Sequence, residues 1–139
     1  MTREEKKEKV RWLMRFRILE KKIRSLDDER RHYEEMAEKV TGSITETGIH
    51  GSASRKLDDM VADIDTIERD IDAKRHEAFQ TRQQISNAIE QLRDETEKHI
   101  LREKFLKGEY LEFICVDLNY SYQHIRRLYN RALSHLKIR

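Results

Sequence analysis

Proline is absent from the chain and glycine occurs only four times in 139 residues. Nothing therefore fixes a helix-breaking φ or removes a helix donor, and long uninterrupted helices are permitted. There is one cysteine, Cys115. It excludes an internal disulfide and a cysteine zinc cluster, and it fits a reducing compartment. No apolar run approaches the roughly 18 residues a membrane span needs, and residues 1–9 are charged with no signal-like hydrophobic stretch behind them. A soluble, cytoplasmic protein is expected. Only 37% of the chain is hydrophobic against 40% charged, so a large globular core is not expected. Helices that each bury one stripe fit better.

Gly42, Gly48 and Gly51 fall in one Ser/Thr/Gly-rich stretch, residues 41–54, and Gly108 stands alone. Taken as boundaries, they cut the chain into three. Before the first, Trp12, Phe16, Leu19, Ile23, Leu26, Tyr33, Ala37 and Val40 recur at alternating steps of four and three, with Arg30 the one polar interruption. After it, Leu57, Met60, Ile64, Ile67, Ile71, Ala78, Ile85, Ala88 and Leu92 keep the rhythm, broken at Lys74 and Thr81. These are heptad seams. The expectation is an all-α protein. A long, coiled-coil-like antiparallel hairpin occupies residues 1–93, with helices at about 5–40 and 54–92, a flexible loop at 41–54, and Ser52 or Ser54 capping the second helix. A trihelical helix-turn-helix unit occupies residues 94–139. A two-helix hairpin buries little alone, so a homodimer through the long helices is expected, the alternative being a single hairpin packed within one chain.

In the C-terminal segment, Ile100, Leu101 and Phe105 are expected to face inward on a first helix that stops at Gly108. A short second helix follows over about 110–118, and a third begins after Ser121. Asn119 tolerates a left-handed backbone, Tyr120 is placed back against the unit, and Ser121 is an N-cap. Cys115 is read as packed where the two helices meet. The third helix divides by face. Ile125, Leu128, Ala132, Leu133 and Leu136 form its buried stripe, while Tyr122, Gln123, His124, Arg126, Arg127, Asn130 and Arg131 stay outside. Residues 121–139 carry five bases and no acid.

Such a face suits double-stranded DNA. Arginine forks onto guanine, and glutamine or asparagine onto adenine, in the major groove. Tyr122, Gln123, His124 and Arg127, near the start of the helix, are the candidate base readers. Ser121, Arg126, Asn130 and Arg131 are the candidate phosphate contacts. The remaining chemistry is sparse. The six histidines lack metalloprotease spacing, the glycines lack a following Lys-Ser/Thr, and the adjacent acids Asp27-Asp28 and Asp58-Asp59 read as solvated. No catalytic site, metal or cofactor is expected, and the protein reads as a non-enzyme.

The run Asn119-Tyr120-Ser121-Tyr122-Gln123-His124-Ile125-Arg126-Arg127-Leu128-Tyr129-Asn130-Arg131-Ala132-Leu133-Ser134-His135-Leu136 resembles the end of region four of bacterial primary-type sigma factors. Shared features are the small polar cap, the apolar residue four positions on, and the Arg-Ala-Leu run before a final leucine. Residues 97–108 resemble the opening of the same module. Phe113-Ile114-Cys115 and Asn119 depart from the usual acidic-Ile-Ala run and glycine, and nothing resembles sigma region two, which promoter melting requires. The whole architecture is similar to phage and prophage regulators of the ArpU and RinA type. The resemblance implies late-gene transcriptional control in a bacterial host cell. Two other functions use the same parts. One is the DNA-recognition (small) subunit of a viral packaging terminase, which forms rings. The other is a helical adaptor docking onto RNA polymerase.

Overall fold

A computed structural model describes residues 1–47 and 52–138, with side chains over 1–42 and 55–138. The protein is all-helical, and no strand occurs among the described residues. Two long helices, α1 (Arg3–Thr47) and α2 (Ser52–Glu90), precede a cluster of three: α3 (Glu95–Leu101), α4 (Leu111–Leu118) and α5 (Tyr122–His135). A π-helical turn, Arg102–Leu106, extends α3. The chain divides into two compact units. One joins Met1–Leu19 to Ala78–Arg139, and the other is Glu20–Glu77.

In the first unit the beginning of α1 and the end of α2 run in opposite directions, with Arg15 donating to Gln84 Oε1 at 3.1 Å and Arg82 lying over the Phe16 ring. The C-terminal helices pack onto this pair. Leu13, Ile85, Ile89, Ile100, Leu101, Phe105, Ile114, Ile125 and Leu133 are all fully buried. By contacts, residues 94–139 cluster with Met1–Leu19 and the end of α2 in one unit. The trihelical segment takes part of its core from the long helices, as Arg102 and Lys98 pairing with Glu90 also shows. This packing explains Leu13 and Ile89, which the heptad reading passed over in favour of Trp12 and Ala88. A further helical layer covers flanks of α1 and α2 that a bare hairpin leaves open. Thr81, read as a break, is buried as well.

The helix of residues 94–107 starts as the sequence indicates. Asp94 caps it by accepting from the backbone amides of Thr96 and Glu97, at 2.8 and 3.1 Å. The π turn then lets Phe105 and Leu106 both face the core. Gly108, at φ +76, reverses the chain where a Cβ would come within 2.3 Å of the Arg17 guanidinium.

In the second unit Ala37 and Thr41 of α1 face Leu57, Val61 and Ile64 of α2 across a shallow groove. Met60, Ile67 and Ile71 are buried, but Ile23, Leu26, Tyr33, Ala37, Val40, Leu57 and Ile64 are only half-buried. The helix ends differ from the expected 5–40 and 54–92. Residue 41 does not begin a loop, because α1 continues through Gly42 to Thr47 and α2 starts at Ser52. The Thr41 hydroxyl donates to the Ala37 carbonyl at 2.9 Å, a bond that helical geometry makes available. At the other end of α2 the chain tightens, with Leu92 N–H donating to the Ile89 carbonyl. Gly48 and Gly51 lie outside the described residues, and the Ser52 and Ser54 side chains outside the described side chains.

Candidate nucleic-acid interface

The link between α4 and α5 is three residues long, and each has a defined task. Asn119 ends α4 in the left-handed region at φ 58, ψ 38. That conformation brings the Tyr120 amide to the Cys115 carbonyl at 2.9 Å and the Asn119 amide to the Val116 carbonyl at 3.1 Å, satisfying carbonyls that a helix end otherwise leaves open. Ser121 is extended, and its Oγ accepts from the His124 amide at 3.1 Å. Cys115 is buried at this junction, its thiol against the Glu112 carbonyl. Ile114, Ile125 and Leu128 fill the space between the helices. Tyr120, expected to pack inward, keeps about a third of its surface open, its ring edge-on to His124 at 4.8 Å.

The helix that follows is sharply two-sided. Ile125, Leu128, Ala132, Leu133 and Leu136 are buried, and so is Tyr129, which the sequence reading left unassigned. Tyr129 stacks on Phe105 at 6.2 Å, with Lys6 and Lys104 over its ring. Burial pushes its phenol from 10.0 up to about 12.

On the open side, Tyr122, Gln123, Arg126 and Arg127 are all exposed. Positions 122 and 126, and 123 and 127, are each one helical turn apart, so the four share a face. The Arg126 guanidinium lies 5.9 Å from the Tyr122 ring. Neither Arg126 nor Arg127 has a carboxylate partner among the described residues. His124 is half-buried, its ring against Tyr120. The Ser121 hydroxyl is already engaged in the cap. Asn130 is half-buried, with an Oδ1 that is buried and unpartnered.

Arg131, a candidate phosphate contact, has carboxylate partners within the protein. Its Nε donates to Glu97 Oε1 at 2.7 Å and its terminal nitrogen to Asp94 Oδ2 at 3.0 Å. His135 Nδ1 lies 3.0 and 3.1 Å from the two oxygens of the same Glu97, whose side chain is 1% exposed. A buried carboxylate needs charge and hydrogen-bond partners, and α5 supplies both. Arg131 thus fastens α5 to α3, and its charge is directed at protein carboxylates. Lys9, from α1, closes the end of α5 by donating to the Leu133 carbonyl at 2.8 Å.

Tyr110, Phe113 and Val116 form a second exposed feature. They recur every three residues from the start of α4 and are each more than half exposed, with the first two rings 6.3 Å apart. Among the described residues, no group of three or more His, Cys, Asp or Glu side chains is placed to hold a metal, and no helix is long and apolar enough to cross a membrane.

The fold defines an all-helical protein in which a long helical pair carries a C-terminal three-helix cluster with a polar, cationic outer face. The chain belongs to the family described as "protein of unknown function (DUF1492)", whose profile matches residues 39–137 and so takes in the whole of α3, α4 and α5. No curated protein and no solved structure matches it.

Proposed function

We propose that this protein is a sequence-specific double-stranded-DNA-binding regulator of transcription and not an enzyme, acting in phage or prophage late-gene control. In this reading α4 and α5 form a helix-turn-helix, and α5 enters the major groove by its first two turns. The observation that carries the proposal is the acid-free face of Tyr122, Gln123, Arg126 and Arg127, presented directly after a left-handed turn and a serine cap. Gln123 and Arg127 are the base readers of this face, Tyr122 stands beside them, and Arg126 is the phosphate contact. His124 and Asn130 have smaller parts, since each is half-buried, and Arg131 serves to orient the helix. Two chains paired through the long helices would present two such faces, as two half-sites require.

The test is fluorescence anisotropy with DNA flanking the gene, against scrambled competitor, at two salt concentrations. Gln123→Ala and Arg127→Ala are each expected to cost roughly 1–3 kcal/mol of affinity and to relax sequence preference. Affinity should fall steeply with salt as phosphates are neutralised. Binding that ignores sequence and both substitutions would reject the reading.

The exposed Tyr110–Phe113–Val116 row favours a second reading, an adaptor that docks onto a protein such as RNA polymerase. A nearly flat salt response to DNA, with tight polymerase binding lost in Phe113→Ser, would select it.

A further inference from the structure

A cavity lies where the start of α1, the end of α2, and helices α3 and α5 meet, within the first compact unit. Its volume is about 1130 Å³, at or above the upper end of ordinary small-molecule sites. Trp12 forms part of its wall. The indole is held in place, because the Arg15 guanidinium lies 4.7 Å from its ring and Arg15 Nε donates to the Trp12 carbonyl at 2.9 Å. Ala88, Leu92 and Ile138 add apolar surface.

The charges in the wall do not cancel locally. Both acids are committed: Asp94 caps α3 and pairs with Arg131, and Glu97 pairs with Arg131 and His135. Arg93 and Lys137 also line the cavity, and neither has a carboxylate partner among the described residues. Asn87 and Gln91 sit on the same wall, with amide groups that no described residue engages. The cavity therefore offers a flat aromatic surface, open amide donors and acceptors, and two uncommitted cations. A flat ring with a hydrogen-bonding edge and an attached anion matches all three.

We propose that this cavity binds a nucleoside monophosphate, its base against Trp12 with its edge towards Asn87 and Gln91, and its phosphate on Arg93 and Lys137. Arg131 and His135 are also in the wall, so the bound molecule touches the residues that fasten α5 to α3. Ligand binding itself does not depend on α5 reading DNA, and no DNA is needed to test it.

Trp12 is the chain's one tryptophan, so its emission reports on this cavity alone. The full chain is titrated with AMP and with UMP, with adenosine and inorganic phosphate as half-ligands, following calorimetric heat and tryptophan emission together. At least one mononucleotide is expected to bind and to change Trp12 emission. Each half-ligand should bind more weakly by roughly tenfold or more. Arg93→Ala/Lys137→Ala should lose at least roughly tenfold, as expected when charge-assisted hydrogen bonds are removed, with helical circular dichroism unchanged. Absence of heat and emission change with both mononucleotides at millimolar concentration overturns the proposal. So does affinity undiminished in the double variant, or phosphate alone binding as tightly as the nucleotide.

Discussion

At the scale of single residues, Arg131 and Arg127 separate what holds α5 from what α5 presents. They are one turn apart on the same helix, yet Arg131 is bound to Asp94 and Glu97 whereas Arg127 is open. Arg131→Met leaves Glu97 buried with only His135, and an under-compensated buried carboxylate is costly. With Arg131 itself half exposed, a loss of about 2 kcal/mol is expected in urea unfolding. Adding Glu97→Gln should return part of it, because the charge that needed a partner is gone. Arg127→Ala should leave unfolding unchanged within about 0.5 kcal/mol. Equal destabilisation by the two arginine substitutions would contradict this division. Tyr129 gives a pH signature in the same core. Its phenol titrates at about 12 when folded against 10.0 as a free group, because burial disfavours the phenolate. A raised pKa means that the folded state holds the proton more tightly. The associated stability is complete below pH 10 and is lost as pH rises through about 12. Over that window unfolding free energy should fall by about 3 kcal/mol on this account. Tyr129→Phe should abolish that slope, measured by urea unfolding across the alkaline range. An identical slope in both proteins would place its origin elsewhere.

At the scale of elements, glycine proves an uneven guide to where helices end. Gly108 occupies φ +76, a conformation that costs an L-residue about 1 kcal/mol, and a Cβ there also displaces the Arg17 guanidinium. Gly42 lies inside α1 with open space around its would-be Cβ. Alanine should therefore act oppositely at the two sites. Gly108→Ala is expected to destabilise by about 1–2 kcal/mol and Gly42→Ala to stabilise by about 0.5–1 kcal/mol, both read as shifts in thermal midpoint. A rise in midpoint for Gly108→Ala would remove the strained-turn account. The same contrast explains what could be seen beforehand. The α4–α5 turn, the Ser121 cap and the buried stripe of α5 were legible, because residues a few positions apart determine them. Gly42 was misleading because composition alone cannot tell a tolerated helical glycine from a required one. The pairing of Arg131 with Glu97 was hidden because the two are 34 positions apart, and charge on a polar face looks the same whether it meets a phosphate or a carboxylate. Leu13 and Ile89 were missed for a related reason. A heptad describes a helix with one partner, and near residues 13 and 89 the helices have several.

For the molecule as a whole, the two compact units differ in how completely they bury their apolar residues. The unit that includes the C-terminal helices holds Leu13, Ile85 and Ile89 at full burial. Along Glu20–Glu77 most of the described seam is only half-buried, and Val61 is 55% exposed beside Ala37 and Thr41. A pair of helices has one interface, and its seam residues become fully enclosed only when a second layer covers them. A second copy is the simplest source of that layer, and a two-fold pairing closes on itself without leaving a further open face. The 16.9 kDa chain should therefore sediment at about twice its mass at micromolar concentration. Val61→Glu places a charge on the open flank without touching the buried positions Met60, Ile67 and Ile71. It should weaken the dimer by roughly tenfold or more while leaving helical content intact, since charge at the desolvated centre of an interface is poorly tolerated. A single-chain mass across the whole concentration range would end the dimer reading. A closed ring of many copies would instead favour the packaging-subunit alternative, in which DNA recognition by α5 serves assembly and not transcription.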